Sequence, residues 1–381
     1  MKKLIYFVLV SFLFICCGPK EGKVEKIIVD GVPHIMNPEK PLKGTVLLDV
    51  EKTREINPYI HEEVDLGGFY HVRDTDGEVI LFNPNKTEAQ RFNHKGEYLG
   101  SLVRRGQGPG EFPDFQFFWV HFMKGQIWAS GALKMAKYDK NSQFLQERKI
   151  GYRPTVFVDE NTFFIEERSR DEEGIVSRVT LVNLSQDREK ECSETDFIKE
   201  RDVGFIQRKD RGGGFTDPWG VPDIEFAYDR ETQKLYAGLN TEYKIYVKNL
   251  KGELQYVIEK PYKHVRVSME DKKKILYWAE NDEFGKWALS VYPDSLAAIK
   301  EIKILPKGYL AVYRVSGVQA YEVDVFDSEG RFVYIIKPLE GVSLDDVKFY
   351  DFGFATVETQ EDEFLVYVEY SIKNIPDIFR K

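Results

Sequence analysis

From Gly44 onward, hydrophobic and polar positions fall into short runs separated by turn residues. Val79 to Phe82, Ala89 to Phe92, Tyr98 to Leu102, Phe115 to Val120 and Ile127 to Ala129 are the first of them. Runs of this length, rich in aromatic and β-branched residues and bounded by Gly, Asn and Asp, predict β-strands. No long amphipathic helix interrupts them before Ser268. There Ser268-Met269-Glu270-Asp271 has the form of a capping box, and Ile275, Leu276 and Ala279 follow at helical spacing. This predicts a short helix ending before Asp282, a helical insertion near 268–280 that either packs on the β framework or covers a binding site.

A phrase recurs between the strands: a hydrophobic residue, Asp or Asn, two polar residues, Gly or an equivalent, a polar residue, then an aromatic or Leu. It reads Phe92-Asn93-His94-Lys95-Gly96-Glu97-Tyr98, Tyr138-Asp139-Lys140-Asn141-Ser142-Gln143-Phe144 and Phe326-Asp327-Ser328-Glu329-Gly330-Arg331-Phe332, with a slipped copy from Val247 to Leu254. Each predicts a hairpin, because Asp or Asn bonds the backbone two residues on and Gly supplies a positive φ. The first two copies lie 46 residues apart, the period of a four-stranded blade. The expected fold is an all-β, six-bladed β-propeller of four-stranded antiparallel blades over residues 44–381. Two blades fall between Val64 and Ile150, and the others run from Thr155 to about Cys192, Asp223 to Ile258, Leu296 to Ile336 and Val347 to Tyr370. The strand Thr45 to Val50 would close the ring by joining the sixth blade, leaving few free edges.

Composition supports a packed domain and narrows the partners. Of 381 residues 42% are hydrophobic and 14% aromatic, spread along the whole chain. A net charge of −9 with a pI near 5.4 argues against nucleic acid, whose phosphates demand clustered Lys and Arg.

The N-terminus is a different kind of sequence. Met1-Lys2-Lys3 precedes the apolar run Leu4 to Ile15 and then Cys16-Cys17-Gly18-Pro19-Lys20. A basic start, about a dozen apolar residues and an abrupt polar turn are the parts of a secretory signal peptide, too short to span a bilayer stably. Residues 1–16 are therefore expected to be removed and 17–43 to form a stalk and approach segment. The stretch Phe14-Ile15-Cys16-Cys17 resembles a bacterial lipobox, which implies acylation of Cys17, with Cys16 as second choice. The alternative is a soluble secreted protein that discards both cysteines with the signal. Cys192, left without a partner, cannot form an intramolecular disulfide. The residues after Cys17 lack an acidic cluster of the kind that resembles a surface-export signal, which favours a periplasm-facing position in the cell envelope.

The segment Arg104-Arg105-Gly106-Gln107-Gly108-Pro109-Gly110-Glu111-Phe112-Pro113 joins the first two blades. It resembles the Gly-rich blade junction of NHL-like propellers in the TolB-like superfamily, particularly six-bladed propeller lipoproteins; a partial echo runs from Arg211 to Pro218. The resemblance implies a fold and no reaction. Physically, Gly106, Gly108 and Gly110 allow a sharp turn between blades, with Phe112 as a wedge. The functional alternative is an anion or ligand site in which Arg104, Arg105, Gly106 and Gly108 cradle a carboxylate or phosphate. No P-loop or dinucleotide ending follows the glycines.

Catalytic signatures are sparse. His34, His61, His71, His94, His121 and His264 lack metal-ligand spacing, and no nucleophile elbow occurs. Asp74-Thr75-Asp76-Gly77 opens like a calcium loop but lacks the later acidic positions, so a hairpin turn is the simpler reading. The acidic runs at 171–173 and 361–363 read as solvated hairpin tips. The expectation is a non-catalytic binding or scaffold module for a protein, peptide or glycan of the envelope, with no metal or other cofactor beyond a marginal calcium site. The competing class is a metal-dependent lactonase or lyase with ligands converging on the central channel mouth.

Overall fold

The computed structural model describes residues 22–60, 66–113, 117–171, 174–184, 192–201, 206–207, 214–215, 223–277, 279, 283–318, 320–337, 347–360 and 364–374. The signal segment, Cys16, Cys17, His61, most of the echo at 211–218 and the acidic runs at 172–173 and 361–363 lie outside them. The chain divides into two compact units: residues 1–46, 204–304 and 308–337 form one, and 47–203, 305–307 and 338–381 the other.

The second unit holds four blades. In blade 1, strands Tyr70–Arg73, Val79–Asn83, Glu88–Phe92 and Tyr98–Val103 pair in sequence order, and blade 2 repeats the plan with Phe117–Met123, Gln126–Gly131, Lys134–Tyr138 and Phe144–Lys149. Blade 3 runs from Pro154–Phe157 to Cys192–Arg201, further than expected because its middle strands are long. Blade 6 comprises Lys348–Tyr350, Gly353–Thr359 and Leu365–Ile372, with Val50–Ile56 as its outer strand. The first unit holds blade 4, from Ile224–Asp229 to Leu254–Glu259, and blade 5, from Ile299–Leu305 to Phe332–Lys337. Six-bladed all-β architecture is thus as the sequence predicts.

All four hairpin phrases form the same turn. In the first, Gly96 at φ 85° donates its N–H to Asn93 O at 2.9 Å, and Asn93 Oδ1 accepts from Lys95 N and Glu97 N at 2.9 and 3.0 Å. Asp139, Asn249 and Asp327 repeat the pattern, Ser142 taking glycine's place at φ 64° in the second copy. The turn residue and its own side chain close each hairpin, which is why a local phrase predicts it.

The predicted helix, α1 (Met269–Ile275), forms with both arms of the capping box made, Ser268 as N-cap and Asp271 as reciprocal acceptor. A second helix, α2 (Glu283–Val291), follows it. Both pack within the first unit: Leu276, Ala288 and Leu289 share a core with Val267, Leu296 and Val315, and Lys272 Nζ donates to Tyr292 O at 2.6 Å. The insertion is a packing element.

The N-terminal segment departs from a stalk. Glu25–Val29 and Val32–Met36 form a hairpin that pairs in parallel with the outer strand of blade 4, making a six-stranded sheet. Buried Asn37 then donates Nδ2 to Gly330 O at 2.9 Å and accepts the Phe332 N–H at 2.7 Å. Thr45–Leu47 lies on the outer strand of blade 5, and Val50–Ile56, not Thr45 to Val50, joins the sixth blade. The sequence of that closing strand, VEKTREI, hides its role because an outer strand buries little of either face. Its charges are matched within the blade instead, Arg54 with Glu369 on the paired strand and Lys52 with Glu358 on the strand beyond it.

Candidate functional site

The Gly-rich junction in the second unit is closed by its own side chains. Phe112 is fully buried in a cluster with Phe82, Leu102 and Val103 of blade 1 and Ala136 and Tyr138 of blade 2, the predicted wedge. Burial of such a ring contributes about 1.5–3 kcal/mol. Gly106 N donates to Phe112 O at 3.0 Å, Gly108 N to the Glu111 carboxylate at 2.9 Å and Gly110 N to the Glu147 carboxylate at 3.2 Å. A Cβ on Gly106 would stand 2.0 Å from Glu111 Oε2, so the carboxylate occupies the concave side of the turn. Lys134 bonds Glu147 at 2.9 Å and holds its carboxyl below the ordinary range. Tyr138 donates its hydroxyl to Gly110 O at 2.5 Å, and burial, with Glu147 and Glu111 nearby, pushes its pKa up. The nest proposed for an external anion therefore cradles the protein's own Glu111, while Arg104 and Arg105 lie exposed beside it.

The more open site lies between hairpins of blades 1 and 2. A cleft of about 420 Å³ is lined by Arg73, Asp74, Thr75, Asp76 and Glu78 from one hairpin and by residues of blade 2. Phe122, Met123 and Ile127 give it an apolar floor; Lys124 and Lys140 stand exposed on the blade 2 side and Asp76 on the other. The geometry is local in origin. Asp74 Oδ1 accepts from Asp76 N at 2.9 Å and Glu78 N at 2.8 Å, so this is a hairpin turn of the recurring kind. Lys124 and Gly125, at φ 50° and 71°, form the two-residue reversal opposite it, a turn whose twist matches that of the strands.

Ion pairs brace both walls. Arg91 bonds Glu78 at 2.6 Å and donates to Lys140 O at 2.5 Å, tying the blade 1 hairpin to the blade 2 turn. Arg73 Nε bonds the buried Glu369 carboxylate at 2.9 Å, its guanidinium lies 4.2 Å over the Phe352 ring, and its Nη1 donates to Asp74 O at 2.9 Å. Glu369 also accepts from Arg54 and, at 2.7 Å, from Tyr367. Burial and the adjacent Glu369 push the Tyr367 pKa up, so the phenol remains a donor.

Of the predicted site residues, Arg104, Arg105, Gly106 and Gly108 are thus brought together in one loop, but away from this cleft's lining. In the sequence the cleft is marked by the Asp74–Gly77 turn and, for Lys140, by the Tyr138–Phe144 hairpin phrase, whereas Arg73 and Lys124 belong to no motif. Among the described residues no three His, Cys, Asp or Glu side chains stand where they could hold a metal ion together. His71 and His121 pack against Tyr367 and Phe157, with ring centroids 5.1 and 4.5 Å apart, and His34 pairs with Glu259. No helix among the described residues is long and apolar enough to cross a membrane.

Comparison with known proteins agrees with the fold. A family model described as a 6-bladed beta-propeller, DUF5128, matches residues 60–207. No curated protein matches the sequence. A solved member of the DUF4221 family from Bacteroides vulgatus is 12% identical and covers 93% of this chain and 100% of its own, with a TM-score of 0.51. A candidate exported protein of Bacteroides fragilis is 11% identical over 87% of this chain and 98% of its own, with a TM-score of 0.47. Virginiamycin B lyase from Staphylococcus aureus is 11% identical over 86% and 90%, with a TM-score of 0.38. The chain is a six-bladed β-propeller.

Proposed function

We propose that the protein is an exported propeller, held to a bacterial membrane through acylated Cys17 and facing the periplasm, that binds a partner of the cell envelope without transforming it. The partner is a protein, peptide or glycan, and the observation that carries the reading is the cleft between blades 1 and 2. Its apolar floor accepts a side chain or a sugar face, and the ammonium groups of Lys124 and Lys140 stand opposite the carboxylate of Asp76. The carboxylates behind this rim are engaged, Glu78 by Arg91 and Glu369 by two arginines and a tyrosine. A braced wall of that kind favours a pre-formed surface over a mobile reactive group.

The test has two arms in intact cells. A photo-crosslinking amino acid at Thr75 should capture a discrete partner, and the same group at exposed Leu133 should not. Lys124→Glu with Lys140→Glu should abolish capture while leaving the melting temperature unchanged. Capture that survives the double charge reversal removes the cleft from consideration. For the anchor, Cys17→Ser should move the chain from the membrane fraction to the soluble periplasm and end incorporation of a labelled fatty acid.

A further inference from the structure

The hairpin that extends blade 4 ends the sheet in an open edge, strand Glu25–Val29. Three consecutive branched aliphatic residues stand exposed on it: Ile27 at 42%, Ile28 at 63% and Val29 at 40%. Two of the other outer strands are protected by charge, that of blade 2 by Glu147, Arg148 and Lys149 and that of blade 6 by Glu51, Lys52, Arg54 and Glu55. On the blade 4 edge the strand itself carries Glu25 and Lys26.

The register decides which backbone groups face outward. Val29 opposes Val32 across the tight turn at Asp30-Gly31, whose φ values are 50° and 82°; Ile27 opposes His34 and Glu25 opposes Met36. In a two-residue hairpin these are the hydrogen-bonded pairs, so Lys26 and Ile28 direct their N–H and C=O away from the sheet.

We propose that this edge pairs antiparallel with the same edge of a second copy of the chain, the two strands crossing their two-fold axis at Ile28. Centred there, the outward groups of Ile28 meet those of Ile28 in the second copy and Ile27 packs beside Val29. Lys26 falls opposite Asp30 of the second copy, twice by symmetry. Centring on Ile27 sets Lys26 against Ile28, and centring on Lys26 sets it against itself, with like charges in contact. The Ile28-centred register alone of these three pairs opposite charges and apolar side chains together. The result is a sheet continuous across the dimer, joined by main-chain hydrogen bonds as in strand addition.

The full chain carrying Ile28→Cys, treated in the envelope with a short-arm bis-maleimide, tests this against the parent, which supplies the background from its native cysteines. A covalent dimer well above that background is expected. Lys26→Asp or Asp30→Lys alone should reduce it about fivefold, and the two together should restore it, because the swap re-forms both pairs. Lysine is accommodated at such a backbone position, since Lys124 and Lys307 already hold φ of 50° and 61°. A yield at parental background, an equal yield from Leu99→Cys on the outer strand of blade 1, or failure of the double swap to restore dimer would each overturn the proposal.

Discussion

Glu369→Leu is the substitution whose cost follows most directly from the geometry. The Glu369 side chain is 7% exposed, and it is the shared carboxylate for Arg54 and Arg73, themselves 11% and 15% exposed. Leucine is close in size, so little cavity forms; the loss is of charge. Two guanidinium groups would remain inside blade 6 and its neighbour hairpin without their anion, and Tyr367 would lose its acceptor. Removing one partner of a buried ion pair costs about 3–5 kcal/mol. The lower end applies here, about 3 kcal/mol, because Arg54 keeps Gly77 O at 2.8 Å and His94 O at 2.9 Å, and Arg73 keeps Asp74 O. At about 2 °C per kcal/mol for a large domain, the melting temperature should fall by about 6 °C. Urea titrations followed by tryptophan fluorescence should show a lower midpoint with the slope unchanged. Glu369→Gln, which preserves an acceptor for Tyr367, should lie between the two. Adding Arg73→Met to Glu369→Leu should recover part of the loss, since it removes one stranded charge. A Glu369→Leu unfolding free energy within about 1 kcal/mol of the parent would refute the idea that this carboxylate holds the two arginines in place.

Three further outcomes are expected. Gly238→Ala should cost about 2–3 kcal/mol in the same titration, because its Cβ would stand 2.2 Å from the main-chain oxygen of Lys244 and force two strands of blade 4 apart. Ser268→Ala should cost about 1 kcal/mol, the value of an N-cap, with a drop in amide protection across Met269–Ile275. Burial raises the Glu322 pKa, but hydrogen bonds from Lys337 and Arg314 outweigh it and hold the carboxyl below its ordinary 4.5. Its folded-state value is depressed, so its contribution is complete above 4.5 and lost as pH falls through the folded value. The stability difference between the parent and Glu322→Gln should therefore shrink below pH 4.5, and a difference constant through that window would contradict the assignment.

The sequence by itself determined the features that a few adjacent residues can enforce. An Asn or Asp bonding its own backbone with Gly two or three residues on closes a hairpin wherever it stands, so four turns and the blade period were legible. The Ser268–Asp271 capping box was legible for the same reason, and Phe112 as a wedge followed from the glycines that precede it. α2 carries a helical spacing of its own in Phe284, Trp287, Ala288 and Val291, beyond the single short helix that the capping box predicts. What only the tertiary structure decided was pairing at a distance. Whether Thr45–Leu47 or Val50–Ile56 completes the sixth blade depends on Arg54 meeting Glu369, 315 residues away, and the charged strand gives no local sign of it. The Glu25–Met36 hairpin could be read as a stalk until Asn37 was seen tied to Gly330 and Phe332. The same holds for the Gly-rich junction, whose capacity for an anion is local but whose use by Glu111 and Glu147 depends on where those carboxylates are delivered. Turns are short-range and enforced by covalent geometry, whereas strand partners and charge partners are chosen among many alternatives by burial, which exists only once the sheets have packed.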